Sequence, residues 1–259
     1  MKNYAESFSR EWALHKYAKT KTWGWTGEQR RKFFLKQMDL KSKNLKGKSL
    51  LDAGCGNGEL TIALTDYRLL VTGMDMSKSV YRARKWADDL GVNINFLRGD
   101  VANPPFKDKS FDYVFSTGVI HHTPSTKKSF MALEKLVSPG GKMFVWIYLK
   151  FDLTRTNYSA KMIWKFKFYD FIRNFISKLP SPLQEMFCYF MLFLNIYKNV
   201  SIRELREKLI FFHDAFTPRY IHRHTPEEIK SWFKEAGFRN IKITDISEKG
   251  GIGILGTKE

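Results

Sequence analysis

Cysteine is nearly absent from this chain: Cys55 and Cys188 are the two it has, and Cys55 lies inside a glycine-rich turn. That excludes a disulfide-stapled module and predicts a reducing, cytoplasmic compartment. Long apolar runs are missing too. The most apolar stretch, Met186 to Tyr197, is about a dozen residues, whereas a membrane-crossing helix needs about 20. The opening residues are polar and charged, which is not the pattern of a secretory leader. Acidic residues are the minority, 26 against 44 Lys and Arg, for a formal net charge of +18. The excess predicts an anionic partner, unless it only reflects a lysine-rich composition: a phosphorylated small molecule, nucleic acid or an anionic membrane surface. Internal repeats and low-complexity tracts are also absent.

What is present is enough apolar material for a core, 43% of 259 residues, with 15% aromatic. It is arranged in alternation. Glu28–Leu40 has helical spacing. Ser49–Ala53 is a short apolar run followed by Gly54-Cys55-Gly56-Asn57-Gly58 and a helical segment, Glu59–Tyr67. Leu69–Met74, Val92–Leu97, Phe111–Ser116 and Lys142–Leu149 are further strand signals, separated by helical stretches. One of these is capped by Ser77 and runs to Leu90; another spans Ser125–Val137 and stops at Ser-Pro-Gly-Gly. Such alternation predicts an α/β fold, a mostly parallel sheet with helices on both faces. All strand carboxyl ends then share one edge, where such sheets take ligands.

The rhythm breaks after Lys150. Lys161–Lys178 interleaves aromatic and basic residues, Leu183–Lys198 is an apolar helix candidate, and Ser201–Phe212 carries an apolar stripe. Thr225-Pro226-Glu227-Glu228 then opens a capped helix that Gly237 ends. Ile241–Ile246 and Gly253–Leu255 supply two last strands. The expected domains are an N-terminal helical arm or lid (1–40), a cofactor-binding core (41–149), a helical insertion acting as substrate cap (150–224), and a C-terminal helix with the last two strands (225–259).

The chemistry concentrates at three strand ends. Glycine at alternate positions after β-strand residues 49–53 allows a tight turn and close backbone approach to a ligand, and the helix start that follows can hold an anionic group. Asp75 lies 23 residues past Asp52, at the end of the second strand. A carboxylate there suits the two hydroxyls of a ribose. Asp100, after the third strand, can accept from an adenine amine while Val101 donates its backbone N–H. A dinucleotide-binding dehydrogenase would space the glycines G-x-G-x-x-G, whereas here they run G-x-G-x-G.

DAGCGNGEL, GMDMS, RGDV, FDYVFSTGVIHH and SPGGKMFVWIY, in this order, resemble the motif series of class I (Rossmann-like) S-adenosylmethionine-dependent methyltransferases of the small-molecule type. The likeness covers roughly residues 48–149 and, weakly, 225–257. It implies a seven-stranded sheet with the last strand antiparallel. It also implies S-adenosyl-L-methionine as cofactor, S-adenosyl-L-homocysteine as product, and cofactor contacts from Asp52, Gly54, Gly56, Gly58, Asp75, Met76, Asp100, Val101 and Thr117.

His121 and His122 follow the fourth strand at the ligand edge. An imidazole titrating near pH 6.5 can serve as general base, or cap a loop. The cluster His213-Asp214 and Tyr220-Ile221-His222-Arg223-His224 offers substrate contacts through Tyr220, His222 or Arg223, as does Trp25 in the arm with Trp12, His15, Tyr17, Lys21 and Trp23. Its histidines match no zinc spacing. The predicted reaction is methylation of a hydroxyl on a small molecule such as a sugar or a lipid- or nucleotide-linked intermediate. Methylation of RNA, tRNA included, is the alternative. Peripheral membrane contact through 161–178 is a further expectation, against a helix packed in its own core.

Overall fold

The computed structural model describes residues 4–15, 25–150, 160–194, 202–247 and 250–259. Tyr17, Lys21 and Trp23 of the expected arm, and the tip of the last hairpin, lie outside them. Contacts divide the chain into two units: residues 20–150 with 222–259, and residues 1–19 with 151–221.

The larger unit holds one sheet of β1 (Ser49–Ala53), β2 (Leu70–Asp75), β3 (Asn95–Arg98), β4 (Phe111–Thr117), β5 (Val137–Tyr148), β6 (Phe238–Ser247) and β7 (Gly251–Lys258). Their spatial order is β3-β2-β1-β4-β5-β7-β6. The first five are parallel, and β7 runs antiparallel to both its neighbours. The order reverses between β1 and β4, so a crevice opens at their carboxyl ends. The helices, in chain order, are α1 (Tyr4–His15), α2 (Gly27–Met38), α3 (Glu59–Ala63), α4 (Ser79–Asp89), α5 (Thr126–Glu134), α6 (Ala160–Ile176), α7 (Ser181–Phe193), α8 (Ile202–Phe216) and α9 (Pro226–Glu235).

Successive strand residues face opposite layers. Leu50, Phe115 and Phe144 pack with Phe34 and Met38 of α2. Their neighbours Leu51, Val114 and Val145 pack with Phe130 and Leu133 of α5 and Phe233 of α9. A sheet buried on both faces reads as near-continuous apolar runs, as these strands do. Phe115 is fully buried and stacks on Phe144 at 4.8 Å between centroids; truncating such a ring to Ala costs about 3–5 kcal/mol.

Helix starts follow local chemistry. Thr26 and Gln29 form a reciprocal capping box before α2, and Ser125 and Thr225 cap α5 and α9. Ser77 departs from expectation. It stands one residue before the cap position, which Lys78 fills, and α4 begins at Ser79; the Ser77 hydroxyl still accepts from the Ser79 N–H at 3.3 Å, while the Ser77 N–H donates to Asp75 Oδ1. β5 also starts earlier than Lys142: Val137 already pairs with Phe111, and an irregularity in the ladder absorbs the Ser-Pro-Gly-Gly segment.

In the other unit α1, α6, α7 and α8 surround a small core of Cys188, Leu209, Phe212 and Phe216, joined by Leu14, Tyr169, Ile172 and Phe187. The helix α8 runs to Phe216, past the expected end at Phe212, and stops at Thr217-Pro218, where the residue before proline leaves the helical region. In sequence, α6 to α8 stand between β5 and α9.

Candidate active site

β1 ends in a turn that only glycine backbone can make. Gly54 has φ +93°, and a Cβ there would lie 2.1 Å from Val119 Cγ2; at Gly58, φ +76°, it would lie 2.7 Å from the Phe96 ring. The turn is bound to the end of β2. Gly54 and Cys55 N–H groups donate to the Met74 carbonyl at 2.7 and 3.0 Å. The Gly56 N–H donates to Asp75 Oδ2 at 2.9 Å, and the Ser79 hydroxyl donates to the Gly56 carbonyl at 2.7 Å. Asp75 therefore clasps the glycine turn with one oxygen and the start of the α4 connection with the other. A carboxylate offers about four lone-pair sites, so both oxygens can still accept hydroxyl groups.

Beneath the turn Asp52 is buried and accepts from the Thr61 hydroxyl at 2.6 Å. Burial pushes its carboxyl up to about 6; the Thr61 hydrogen bond and Arg30 oppose the rise, and Asp75 adds to it. Arg30 of α2 pairs with Glu59, the first residue of α3. Neither was singled out from the sequence. Glu59 follows the glycine run directly, but nothing in the pattern marks Arg30, whose placement depends on how α2 lies against α3.

On the next strand Asp100 Oδ1 accepts from the Ala102 N–H at 2.9 Å, fixing the turn after β3, and Val101 is buried. The Met76 carbonyl accepts from Arg98 Nε at 2.8 Å. Asp75 and Arg98 are register partners on β2 and β3, so the Asp75 and Asp100 turns lie side by side.

Across the crevice, Thr117 is exposed at the end of β4, and the 3-10 turn Ile120–His122 follows. Val119, against Gly54, joins this half to the glycine turn. The His121 ring lies between those of His122 and Tyr148, tilted against each at 4.2 Å between centroids, with Trp146 at 6.1 Å. Both ring nitrogens of His121 are buried without a hydrogen-bond partner. Burial first, then the neighbouring His122 and Arg223, holds it well below its ordinary range, so it is neutral at pH 7. A buried imidazole lacking two partners costs about 1–3 kcal/mol for each unmet group.

The residues after Ile221 brace this cage. The His222 N–H donates to the His121 carbonyl at 3.0 Å, and its Nε2 is 3.0 Å from the Thr123 carbonyl, which makes Nε2 the donor. Arg223 stands over the Tyr148 ring at 5.8 Å, and His224 Nε2 is 2.9 Å from the Thr126 hydroxyl. Trp25 is exposed and packs edge-on against Phe33, which in turn meets Phe115. Tyr220 falls within the helical unit and is half-buried.

Comparison with known proteins agrees with this geometry. The family described as a methyltransferase domain matches residues 51–145. Over those residues the chain is similar to S-adenosylmethionine-dependent methyltransferases of class I. This methyltransferase domain is similar to a ubiquinone biosynthesis O-methyltransferase of Coxiella burnetii, 36% identical over 39% of the chain; the match spans less than half, 43%, of that relative. A longer match, 25% identical over 88% of the chain and 82% of the relative, is to a demethylmenaquinone methyltransferase of Staphylococcus aureus. Among solved structures, magnesium protoporphyrin IX methyltransferase of Synechocystis superposes with a TM-score of 0.54 at 16% identity, covering 90% of this chain and 84% of that one, and was crystallised with bound S-adenosylhomocysteine. At that identity the likeness speaks for the fold.

Proposed function

We propose that the protein transfers the methyl group of S-adenosylmethionine to a hydroxyl oxygen of a small molecule, a sugar or a lipid- or nucleotide-linked intermediate, releasing S-adenosylhomocysteine. The observation that carries this reading is the Asp75 carboxylate locked onto the glycine turn. It presents spare acceptor sites beside a glycine backbone. In this reading Asp75 accepts the ribose hydroxyls, Asp100 and Val101 meet the adenine edge, and Gly54, Gly56 and Gly58 with the start of α3 hold the methionine end. Met76 and Thr117 line the same rim. The cofactor supplies an electrophilic methyl on a sulfonium. The protein's task is to align an acceptor oxygen with it and exclude water.

The aromatic cage supports an oxygen acceptor. His122 is the candidate general base, and His121, whose ring nitrogens are buried, packs beside it at 4.2 Å between centroids. Trp25, His222 and Arg223 are candidate substrate contacts, with Arg223 suited to a phosphate; Tyr220, in the helical unit, is a separate candidate. The Coxiella relative is by name an O-methyltransferase, which agrees. Calorimetric titration with S-adenosylmethionine tests the core of the proposal. Asp75→Ala should weaken binding about 10- to 100-fold, the worth of one or two hydrogen bonds to a charged group. Unchanged affinity in a folded variant would remove Asp75 from the site.

An RNA acceptor is favoured by a different observation. Lys127, Lys128 and Lys135 border a shallow cleft of about 460 Å³ on α5. If tRNA is the acceptor, binding weakens steeply with salt and labelled methyl groups appear in the RNA; small-molecule turnover with inert RNA decides the other way.

A further inference from the structure

The helix α6 carries aromatic residues on both of its sides. One side enters the helical unit's core through Ile163, Tyr169, Ile172 and Ile176. The other exposes Trp164, Phe168, Phe171 and Phe175, at 68%, 45%, 62% and 62% of their surface. Their spacing of four, three and four residues makes one continuous helix face. Trp164 stacks on Phe168 at 5.6 Å, and Phe171 meets Phe175 at 5.3 Å. The next helix, α7, repeats the arrangement: Phe187 and Cys188 face the core, while Leu183, Met186, Phe190 and Phe193 are 41–63% exposed. Single exposed apolar residues are ordinary, but contiguous stripes mark an interaction surface.

Charge selects the occupant. Lys167 and Lys178 are exposed beside the α6 stripe. The two acids of α6 and α7 are both neutralised: Asp170 pairs with Arg173 at 2.6 Å, and Glu185 lies 3.6 Å from Arg10. The face therefore presents aromatic rings and cations, with no unpaired carboxylate to answer the lysines of a second copy. An anionic bilayer answers both features, because rings settle at the headgroup boundary while lysine stems reach the phosphates. Among the described residues no helix is long and apolar enough to cross a membrane, so α6 would lie on the surface and not span it.

We propose that the exposed face of α6 and α7 is a docking surface for an anionic lipid bilayer. This goes beyond the methyl-transfer reading and does not depend on it. The test is co-sedimentation of the full chain with phosphatidylcholine vesicles with and without phosphatidylglycerol. Wild type should bind only when phosphatidylglycerol is present, and added salt should weaken it. Phe171→Ser with Phe175→Ser should weaken binding about a hundredfold or more, and Lys167→Glu should weaken it at least about fivefold. All these positions are exposed, so S-adenosylmethionine affinity should not move. Asp75→Ala should keep full vesicle binding, which separates failure here from failure of the active-site reading. Quenching of Trp164 by brominated lipid, absent in Trp164→Phe, gives a second readout should the serine variant fold poorly. No binding to either vesicle overturns the proposal, as does equal binding by wild type and the serine variant. So does a wild-type dimer that the serine substitutions dissociate, which would make the face a self-interface.

Discussion

Asp52→Asn should change how stability responds to pH before it changes anything else. The buried Asp52 carboxyl titrates at about 6, against 3.8 for the ordinary group. The folded protein thus holds this proton more tightly than the unfolded chain does. Stability conferred by the bound proton is complete below about pH 4, declines as pH rises through 6, and is gone above it. The difference of about two pH units corresponds to about 3 kcal/mol. Asparagine cannot ionise and can still accept from the Thr61 hydroxyl. Its amide N–H groups gain no evident partner, which subtracts a constant amount at every pH. The informative quantity is therefore a double difference. Urea unfolding of wild type and Asp52→Asn at pH 4, 5, 6, 7 and 8 should show wild type losing about 3 kcal/mol relative to the variant between pH 4 and 8. Other titrating groups cancel. Parallel curves would mean that Asp52 ionises normally in the fold, and the assignment of a strained acid under the glycine turn would be wrong.

Gly54→Ala should fold poorly at the turn and lose S-adenosylmethionine binding by at least about tenfold, since a left-handed residue with a side chain costs about 1–3 kcal/mol even before the clash with Val119; calorimetry reads this, and normal affinity would show that the turn is not the ligand's seat. His121→Leu should raise the unfolding free energy by about 1 kcal/mol or more by removing two unpaired nitrogens, while turnover on the true acceptor falls; a large loss of stability would show that the ring is satisfied in solution. His213, in the helical unit, is held down to about 4 by burial and by Arg10. Its neutral form is the one the fold accepts, so stability is full above pH 6.5 and falls by about 3 kcal/mol as pH drops toward 4. Hydrogen exchange of α7 and α8 amides should show this acid opening, and His213→Gln should flatten it.

How much of this was legible beforehand depends on what each feature requires. The turn after β1 needs only local backbone freedom, so three glycines after an apolar strand announce it. Helix caps are local too, and Ser125 and Thr225 act as their sequence context suggests. Ser77 shows the limit. Its hydroxyl does accept from the N–H of Ser79, the first helical residue, but the helix begins two residues on, with Lys78 in the cap position. The Arg30–Glu59 pair and the packing of His121 against Tyr148 join distant parts of the chain or depend on rotamers, and no periodicity encodes them. The helix α6 illustrates a subtler failure. Its apolar residues occupy the whole circumference, so sequence could not say whether Phe171 or Ile172 faces inward; only packing against α7 and α8 separates them.

Asp52 and His121 are both buried polar groups beside the carboxyl ends of central strands. Asp52 has the Thr61 hydroxyl as its partner, whereas neither ring nitrogen of His121 has one. An unfilled requirement of this kind destabilises the protein unless something arrives to meet it. The strands that carry these groups are fixed by Phe115 on Phe144 and by the apolar layers on both faces of the sheet. That rigid packing is what prevents Asp52 and His121 from relaxing toward solvent. Polar groups held in place this way need no further ordering, and pre-ordered polar groups are what a displacement reaction needs most.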